Sequence, residues 1–250
     1  MKHLLLLLTA IVSTSITVYS QEYEISGKFE IRNGDTLEYR LPDEVKYLLP
    51  KFSDAAVLNH DGSRSFGKIN IMILDHTLRM IDRHGDTLNV INPESISRIS
   101  TEDMQIIHID DKYMEILATY QDITLSAGHY LSINYRKGSN GSNANSSFLE
   151  RFGSSVSFFS TNNYGGIGNN VFSSGPGNLS QDRTYTGEYT RRTQYVLTAG
   201  NRIFPANEKS FIMIFPKKKK AIKEFLSYFQ TDFSNPEFLL TLFEFCTGQQ

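Results

Sequence analysis

The feature that most constrains the fold is an alternation of apolar and polar residues from residue 22 to residue 137. Turn-forming residues interrupt this alternation at short intervals. Ile69, Ile71 and Ile73 fall on one face of an extended segment, because successive side chains of a strand point to opposite sides. Turn-forming residues separate such segments at Asp61-Gly62, Asp75-His76, His84-Gly85-Asp86 and Asp110-Asp111. The pattern predicts seven or eight short strands and a mainly β fold, an antiparallel sandwich or open barrel.

Residues 138–182 differ in character, because Gly, Ser and Asn dominate and apolar residues are isolated. Such a composition buries too little apolar surface to offset the entropy of ordering the chain. We therefore predict that a flexible insertion interrupts a β domain of residues 21–213. Strand character returns at residues 185–197, 202–204 and 210–213.

The last segment has helical periodicity. Ile222, Phe225, Leu226 and Phe229 form one apolar stripe at helical spacing. A second helix is predicted to begin around Pro236 and to end at Gly248, with a buried stripe of Phe238, Leu239, Leu242, Phe243 and Cys246. Residues 214–250 are thus predicted to be a C-terminal helical pair.

The first 20 residues predict a secretory signal peptide. Lys2 precedes an apolar run that begins at Leu4, and a cleavage site precedes Gln21. The run is shorter than the roughly 20 apolar residues of a membrane span, so no transmembrane segment is expected in the mature chain. No Cys follows the run, which argues against a lipid anchor. We expect an exported protein, periplasmic or secreted.

Composition limits the classes of function. Cys246 is the single cysteine, which excludes an intramolecular disulfide and a thiolate zinc cluster. The formal net charge of −2 provides no general field for nucleic acid or anionic membranes, so neither is expected as a partner. Nothing in the sequence points to a cofactor.

Two groups of polar residues are candidates for chemistry. Asp82, His84 and Asp86 alternate as metal ligands on a strand would, but they overlap a predicted hairpin, and a plain turn is the favoured interpretation. His108 is followed by Asp110 and Asp111, and a carboxylate can orient an imidazole for proton transfer. An ordinary strand followed by a turn is the favoured interpretation of this group, so we predict neither metal ligands nor catalytic residues.

Other signals of catalysis are weak. No Gly-x-Ser-x-Gly elbow occurs, and Cys246 lies on an apolar helix face, where cysteine is usually a small hydrophobic residue. The glycines at 165, 166 and 168 lack the strand and the Lys-Ser/Thr pair of a phosphate-binding loop. We therefore predict no catalytic, cofactor-binding or metal-binding residue.

Two segments are candidates for binding. Lys217 to Lys220 form a basic run that suits an anionic partner, although a solvated helix end is the favoured interpretation. Tyr164, Phe172, Tyr185 and Tyr189 lie in or just after the insertion, where tyrosines provide contact area at low entropic cost. For the insertion, a disordered tether is favoured over a recognition loop.

The segment from Tyr47 to Phe52, followed by Val57, Asp61-Gly62 and Lys68-Ile69-Asn70, resembles uncharacterised exported β-rich proteins of Bacteroidetes-type bacteria. The chain also resembles these proteins in its short signal sequence, its Gly-Asp turns, its polar middle segment and its Lys-rich closing helices. The resemblance implies a periplasmic or secreted location. It implies no catalytic activity.

The favoured hypothesis is a non-enzymatic binding or structural protein of the bacterial cell envelope or secreted fraction, with an envelope protein or a glycan as partner. Two alternatives remain open. One is a glycan hydrolase that uses carboxylates from distant strands, such as Asp110 or Glu115 with Asp82. The other is a carrier for a small apolar ligand, which requires a cavity among the strands.

Overall fold

A computed structural model describes residues 25–32, 36–137, 185–229 and 231–248. Strands make up 49% of the fold and helices 25%, so the predicted mainly β, antiparallel class with C-terminal helices is confirmed. The strands form one large antiparallel sheet that does not close on itself. The predicted signal peptide and the predicted insertion at 138–182 lie outside the described residues.

Eleven strands of the described chain form this sheet: β1 (Ile25–Ile31), β2 (Ser53–Asn59), β3 (Arg64–Met72), β4 (Thr77–Ile81), β5 (Thr87–Asn89), β6 (Ile96–Thr101), β7 (Gln105–Ile109), β8 (Lys112–Tyr120), β9 (Ile123–Lys137), β10 (Tyr185–Ala199) and β11 (Arg202–Pro205). Their order across the sheet is β1-β10-β9-β8-β7-β6-β2-β3-β4-β5, and β11 pairs with the second half of β10. In the described part of the chain, nine strands precede residue 138, more than the seven or eight predicted. The edge strand β5 follows the predicted turn at His84-Gly85-Asp86, and its three residues are exposed.

The predicted tight turns are confirmed. Asp110 and Asp111 connect β7 to β8 with φ angles of 54° and 57°, the left-handed backbone of a two-residue hairpin. Gly85 has a φ of 89° between β4 and β5, where glycine avoids the steric cost of a Cβ. His76, between β3 and β4, also has a positive φ of 54°.

One face of the sheet, called the inner face below, carries the main core. Paired residues of antiparallel strands share a face, and Ile99 pairs with Val57 on one side and with Ile106 on the other. All three are buried. The same core cluster includes Phe29 of β1 and Leu78 of β4, which lie near opposite ends of the strand order. The sheet is therefore curled around its inner face.

Strand β3 is buried on both faces at its end. Ile69 and Ile71 lie on the inner face, and Asn70 on the opposite face is 1% exposed. The Asn70 side chain accepts a hydrogen bond from the backbone N–H of Leu49 and donates one to its carbonyl oxygen, each 2.9 Å long. The buried amide is thus satisfied by the segment that precedes β2.

Two four-residue helices that the sequence pattern did not predict follow β1: α1 (Leu37–Arg40) and α2 (Asp43–Lys46). Leu37, Leu41 and Val45 are buried and join the core cluster of the inner face. The helices therefore cover part of the curled sheet, and each ends after one turn in extended backbone.

The C-terminal region contains three helices in its described part: α3 (Glu208–Ile214), α4 (Lys219–Tyr228) and α5 (Pro236–Thr247). The predicted strand at residues 210–213 is wrong, because these residues lie in α3. Asn207 caps that helix, and its side chain accepts a hydrogen bond from the N–H of Ser210 at 3.0 Å. The helices pack a second core cluster against Leu125 of β9 and Leu197 of β10.

The helices of the described chain are all too short or too polar to cross a membrane. The predicted start and end of the last helix are confirmed, since Pro236 occupies its first turn and Gly248 ends it with a φ of 76°.

Candidate functional site

A cleft of about 630 Å³ opens where β2, β6 and β7 meet the β7–β8 hairpin. The turn between β10 and β11, at Gly200 and Asn201, forms its opposite wall. Its volume lies in the range of small-molecule sites, roughly 300 to 1,000 Å³. The polar and charged residues of its wall are His60, Glu94, Ser97, Arg98, His108, Asp110, Asp111 and Asn201.

The β7–β8 hairpin positions two carboxylates at the cleft. Ile109 pairs with Lys112, so only Asp110 and Asp111 lie in the turn. Both need positive φ, which Asp tolerates better than most residues. Lys112 Nζ lies 3.5 Å from Oδ2 of Asp110, so these two residues form an ion pair. Asp111 supplies the second carboxylate of the turn.

His108 borders the cleft on β7, but its side chain lies on the inner face with Ile106, whereas Ile107 and Ile109 lie on the opposite face. Its side chain is 6% exposed, and its Nδ1 lies 3.2 Å from the carbonyl oxygen of Ile96. Burial lowers its pKa, although that hydrogen bond and the carboxylate of Asp111 act in the opposite direction. A neutral imidazole must donate from Nδ1 to a carbonyl oxygen, so Nε2 is an acceptor.

Tyr113 lies beside His108. Their rings stack with centroids 4.4 Å apart, and the tyrosine is 2% exposed. Its hydroxyl group is the one buried side-chain polar atom of the described residues that has no hydrogen-bond partner. Burial raises its pKa, and the carboxylates of Asp111 and Glu94 raise it further. A buried hydroxyl group costs stability unless a protein group or an ordered water satisfies it.

Glu94 and Arg98 come from the chain just before and within β6. Glu94 lies in a 3₁₀ turn, Pro93–Ser95, which is joined to the end of β2 because the N–H of His60 donates to the carbonyl oxygen of Ser95 at 2.8 Å. Arg98 Nη1 lies 3.4 Å from Oε1 of Gln105 on β7. These contacts bring Glu94 and His60 to the same wall as the β7–β8 hairpin.

A second polar cluster lies on the inner face, across β8, β9 and β10. His129 Nε2 lies 3.4 Å from Oε2 of Glu115, and its Nδ1 lies 3.2 Å from Oγ1 of Thr193. Burial lowers the pKa of His129, so a neutral ring donates to Glu115 and accepts from the threonine. Arg191 donates from Nη1 to the carbonyl oxygens of Glu44 and Tyr47 at 2.7 and 3.1 Å.

This inner cluster lies between two of the three hydrophobic clusters of the described residues. On β9, Leu131 belongs to the main core and Ala127 to the helix-covered core, and His129 lies between them. A buried polar network with satisfied hydrogen bonds fixes the relative position of the groups it joins. The Glu115–His129–Thr193 chain therefore links three strands, while Arg191 ties β10 to the end of α2.

Three of the sequence candidates are not brought together. Asp82 Oδ1 accepts hydrogen bonds from the N–H groups of His84 and Asp86 at 2.8 and 2.9 Å, which is the arrangement of a plain turn. Glu115 lies in the inner cluster, and only Asp110 of the suggested carboxylates lines the cleft. Within the described residues, no three potential ligands lie close enough to hold a metal ion.

The other candidates have structural surroundings. Cys246 is buried, and burial raises the pKa of its thiol to about 12. Lys218 donates from Nζ to the carbonyl oxygen of Phe245 at 2.8 Å, so one lysine of the basic run caps α5, while Lys217, Lys219 and Lys220 are exposed. Tyr189 is 8% exposed in the main core, so it is not available as a recognition residue. Tyr164 and Phe172 lie outside the described residues.

Sequence analysis missed Glu94, His60 and Arg98 of the cleft, and His129 and Arg191 of the inner cluster. Isolated polar residues in or beside strands carry no spacing motif. Only the strand order, in which β6 lies between β2 and β7, brings the cleft residues together. For His129 the sequence does contain one signal. Alternation along the strand places this polar residue on the same face as Leu125 and Leu131, and therefore inside the core.

The sequence matches no protein-family model, and it is significantly similar to no curated protein and to no solved structure. Arguments about function therefore depend on the residues of the cleft and of the inner cluster themselves.

Proposed function

We propose that this protein is a non-enzymatic binding protein of the bacterial cell envelope or secreted fraction, and that a polar small ligand binds in the cleft. The cleft itself carries the proposal. Its volume of about 630 Å³ suits a small molecule, and eight of its twelve lining residues are polar or charged. Glu94, Arg98 and Asn201 in this wall offer a ligand charged and hydrogen-bonding groups.

The location rests on the first 20 residues, whose charge and apolar run are typical of a signal peptide. Expression in a bacterial host with fractionation of cytoplasm, periplasm and medium tests it. The expected result is a mature chain outside the cytoplasm that begins at Gln21 by N-terminal sequencing. A full-length chain in the cytoplasm would contradict it.

Blocking the cleft tests the binding function. Asn201 lies on the exposed turn of the wall, so Asn201→Trp adds bulk at the cleft without disturbing a core. The wild type and the Asn201→Trp variant are each incubated with a polar metabolite extract and analysed by native mass spectrometry. The wild type is expected to retain a ligand that the variant loses. Equal retention by the two proteins places binding elsewhere.

A second candidate function, glycan hydrolysis, is favoured by one observation: Glu94, Asp110 and Asp111 line the same cleft. Glycosidases use two carboxylates that flank the scissile bond, one as a general acid and one as a base or nucleophile. The test is release of reducing sugar from bacterial envelope polysaccharide. Release of reducing sugar by the wild type that Glu94→Gln abolishes supports hydrolysis. If the wild type releases no sugar at every pH tested between 4 and 8, this candidate function is excluded.

The alternative of an apolar carrier receives less support. The inner face of the sheet is filled by its own core side chains, and the cleft wall includes three carboxylates and the imidazole of His60. An apolar ligand would leave those carboxylates and that imidazole desolvated without hydrogen-bond partners, which is costly.

A further inference from the structure

The inner cluster holds a hydroxyl group, an imidazole and a carboxylate in one chain of hydrogen bonds. Oγ1 of Thr193 lies 3.2 Å from Nδ1 of His129, and Nε2 of the same ring lies 3.4 Å from Oε2 of Glu115. A nucleophile, a base within hydrogen-bond reach of it and a third group that orients the base form the arrangement of an activated nucleophile. These contacts make the hydroxyl group of Thr193 a candidate for acyl chemistry.

The direction of the hydrogen bonds is the one that activation by a general base requires. An ionised carboxylate only accepts hydrogen bonds, so Glu115 fixes the proton of the neutral ring on Nε2. Nδ1 of His129 is then an acceptor, and the hydroxyl group of Thr193 donates to it. The imidazole is thus placed to take the hydroxyl proton while the oxygen attacks a carbonyl carbon.

The surroundings of the ring keep this base neutral. Burial lowers the pKa of His129, and the nearby guanidinium group of Arg191 lowers it further, although the hydrogen bond to Glu115 acts in the opposite direction. Arg191 is held in place because it donates to the carbonyl oxygens of Glu44 and Tyr47. A fixed cation beside the ring also favours the negative charge that develops on the oxygen of an attacked carbonyl group.

Three neighbouring strands hold the cluster, and it remains open to solvent. His129 on β9 lies directly opposite Thr193 on β10, and Glu115 on β8 pairs with Ala127, which lies two residues before His129 on the same face. Groups on strands are positioned more precisely than groups on loops. The side chains of Glu115 and His129 are 29% and 14% exposed, and Thr193 is half-buried.

The neighbours of Thr193 limit the size of the acyl group. Leu131 of the main core lies on one side of His129, and Ala127 and Tyr195 of the helix-covered core lie on the other side. These apolar side chains suit the methyl end of a short acyl group. Buried cores are close-packed, so a long chain would require their rearrangement.

We propose that Thr193 is an acceptor site that receives one short acyl group from an activated ester. Oγ1 forms a bond to the carbonyl carbon of the ester, and its proton passes to Nδ1 of His129. The bond from that carbon to the leaving oxygen then breaks, and the proton on Nδ1 passes to the leaving oxygen. The products are acylated Thr193 and an alcohol. Because each chain accepts one acyl group, the inference goes beyond ligand binding in the cleft and does not depend on it.

The probe p-nitrophenyl acetate tests the proposal on the full mature chain. Absorbance follows the release of nitrophenolate, and mass spectrometry of peptides maps the acetyl group. Neutral hydroxylamine removes an acetyl ester from a hydroxyl group but leaves acetylated lysines intact, so it separates the expected label from background labelling. The expected result is one hydroxylamine-labile acetyl group per chain, on Thr193.

Variants of the cluster test the role of each group. Thr193→Val removes the hydroxyl group and should abolish the labile label, whereas Thr193→Ser should retain it. His129→Gln removes the base and should slow acetylation by about a hundredfold or more. In Glu115→Gln an amide can donate to Nε2, which turns Nδ1 into a donor, so acetylation should slow by about tenfold or more. Thr186→Val is the matched control with an expected wild-type rate, because Thr186 is exposed on the opposite face of β10.

The pH dependence of the rate distinguishes a base from a structural partner. Acetylation of the wild type should fall as His129 becomes protonated, with a midpoint below the ordinary pKa of 6.5, and this step should be absent in His129→Gln. A wild-type rate in His129→Gln overturns the proposal, and so do labile acetyl groups only at residues other than Thr193. Thermal unfolding followed by circular dichroism verifies that each variant is folded. If Thr193→Val does not fold, a folded Thr193→Ser without the label overturns the proposal.

The acceptor site and the cleft are separable by experiment. The cleft lies on the opposite face of the sheet, where Ile107 and Ile109 line it. Asn201→Trp should therefore leave the acetylation rate unchanged, even where it removes a ligand from the cleft. Loss of acetylation in this variant would overturn the assignment of the acceptor site to the inner cluster.

Discussion

Replacement of Asn70 by alanine is expected to lower the free energy of unfolding by about 3 to 5 kcal/mol. Asn70 lies on β3 with 1% of its surface exposed. Its side-chain oxygen accepts from the N–H groups of Leu49 and Ile71 at 2.9 and 2.8 Å, and its nitrogen donates to the Leu49 carbonyl oxygen at 2.9 Å. The residue therefore anchors the segment before β2 to the sheet.

The magnitude follows from the groups that the substitution leaves without partners. Leu49 is itself 4% exposed, so water does not readily replace the lost amide. Each unsatisfied backbone group costs about 1 to 3 kcal/mol, and the small cavity adds about 1 kcal/mol. Against a typical total stability of roughly 5 to 15 kcal/mol, such a loss unfolds a substantial part of a marginal protein.

Urea denaturation followed by far-UV circular dichroism measures the change, because the chain has no tryptophan to report by fluorescence. Asn89→Ala is the control. Asn89 is exposed on the edge strand β5, and its substitution should change stability by less than about 0.5 kcal/mol. A loss below about 1 kcal/mol for Asn70→Ala, or one equal to the control, would refute the reasoning that the buried amide is required.

Three further effects are expected. Burial lowers the pKa of His76 to about 4, below its value near 6.5 when unfolded, so stability is complete above pH 6.5 and is lost as pH falls towards 4. The substitution His76→Asn suits the positive φ and should reduce this loss of stability at acid pH by on the order of 1 kcal/mol. Thermal unfolding measured between pH 7 and pH 4 tests this effect, and an unchanged dependence of stability on pH would contradict it. Lys218→Ala should lower the free energy of unfolding by about 1 kcal/mol, because it removes the hydrogen bond to the Phe245 carbonyl oxygen. In urea denaturation the control Lys217→Ala should leave stability unchanged, and equal effects of the two substitutions would exclude a capping role for Lys218. Asn235→Ala should cost about 1 kcal/mol by uncapping α5, and thermal melts that match the wild type would show that the cap is dispensable.

The local parts of the fold could be predicted from sequence. The Asp110–Asp111 hairpin depends on residues that tolerate positive φ, and the last helix has Asn235 before it and Gly248 after it. Such signals act within a few residues, so no knowledge of the remaining chain is needed. The alternation in β3 likewise identified the inner face.

Features that depend on short or ambiguous segments could not be predicted. The helices α1 and α2 span four residues each, too few for a helical period to be visible. The apolar run from Ser210 to Met213 fits a strand or a helix equally well, and the capping side chain of Asn207 decided in favour of α3. Burial of both faces of β3 depends on the chain before β2, which alternation within β3 does not reveal.

The cleft was only half visible in the sequence. His108, Asp110 and Asp111 could be grouped because they are adjacent in the chain, and the φ angles of Asp110 and Asp111 agree with their interpretation as a turn. Glu94 joins them through the pairing of β6 with β7, a contact that depends on strand order and register. Register is specified by the whole buried face and not by any local motif.

The turn between β7 and β8 serves both the fold and the cleft. A left-handed backbone at position 111 requires a residue such as Asp, Asn or Gly, so turn geometry alone explains a short polar side chain there. Geometry does not explain the negative charge at the cleft, which Asn would avoid. Asp111→Asn therefore separates the two roles: an effect on ligand binding without an effect on stability belongs to the charge, and not to the turn.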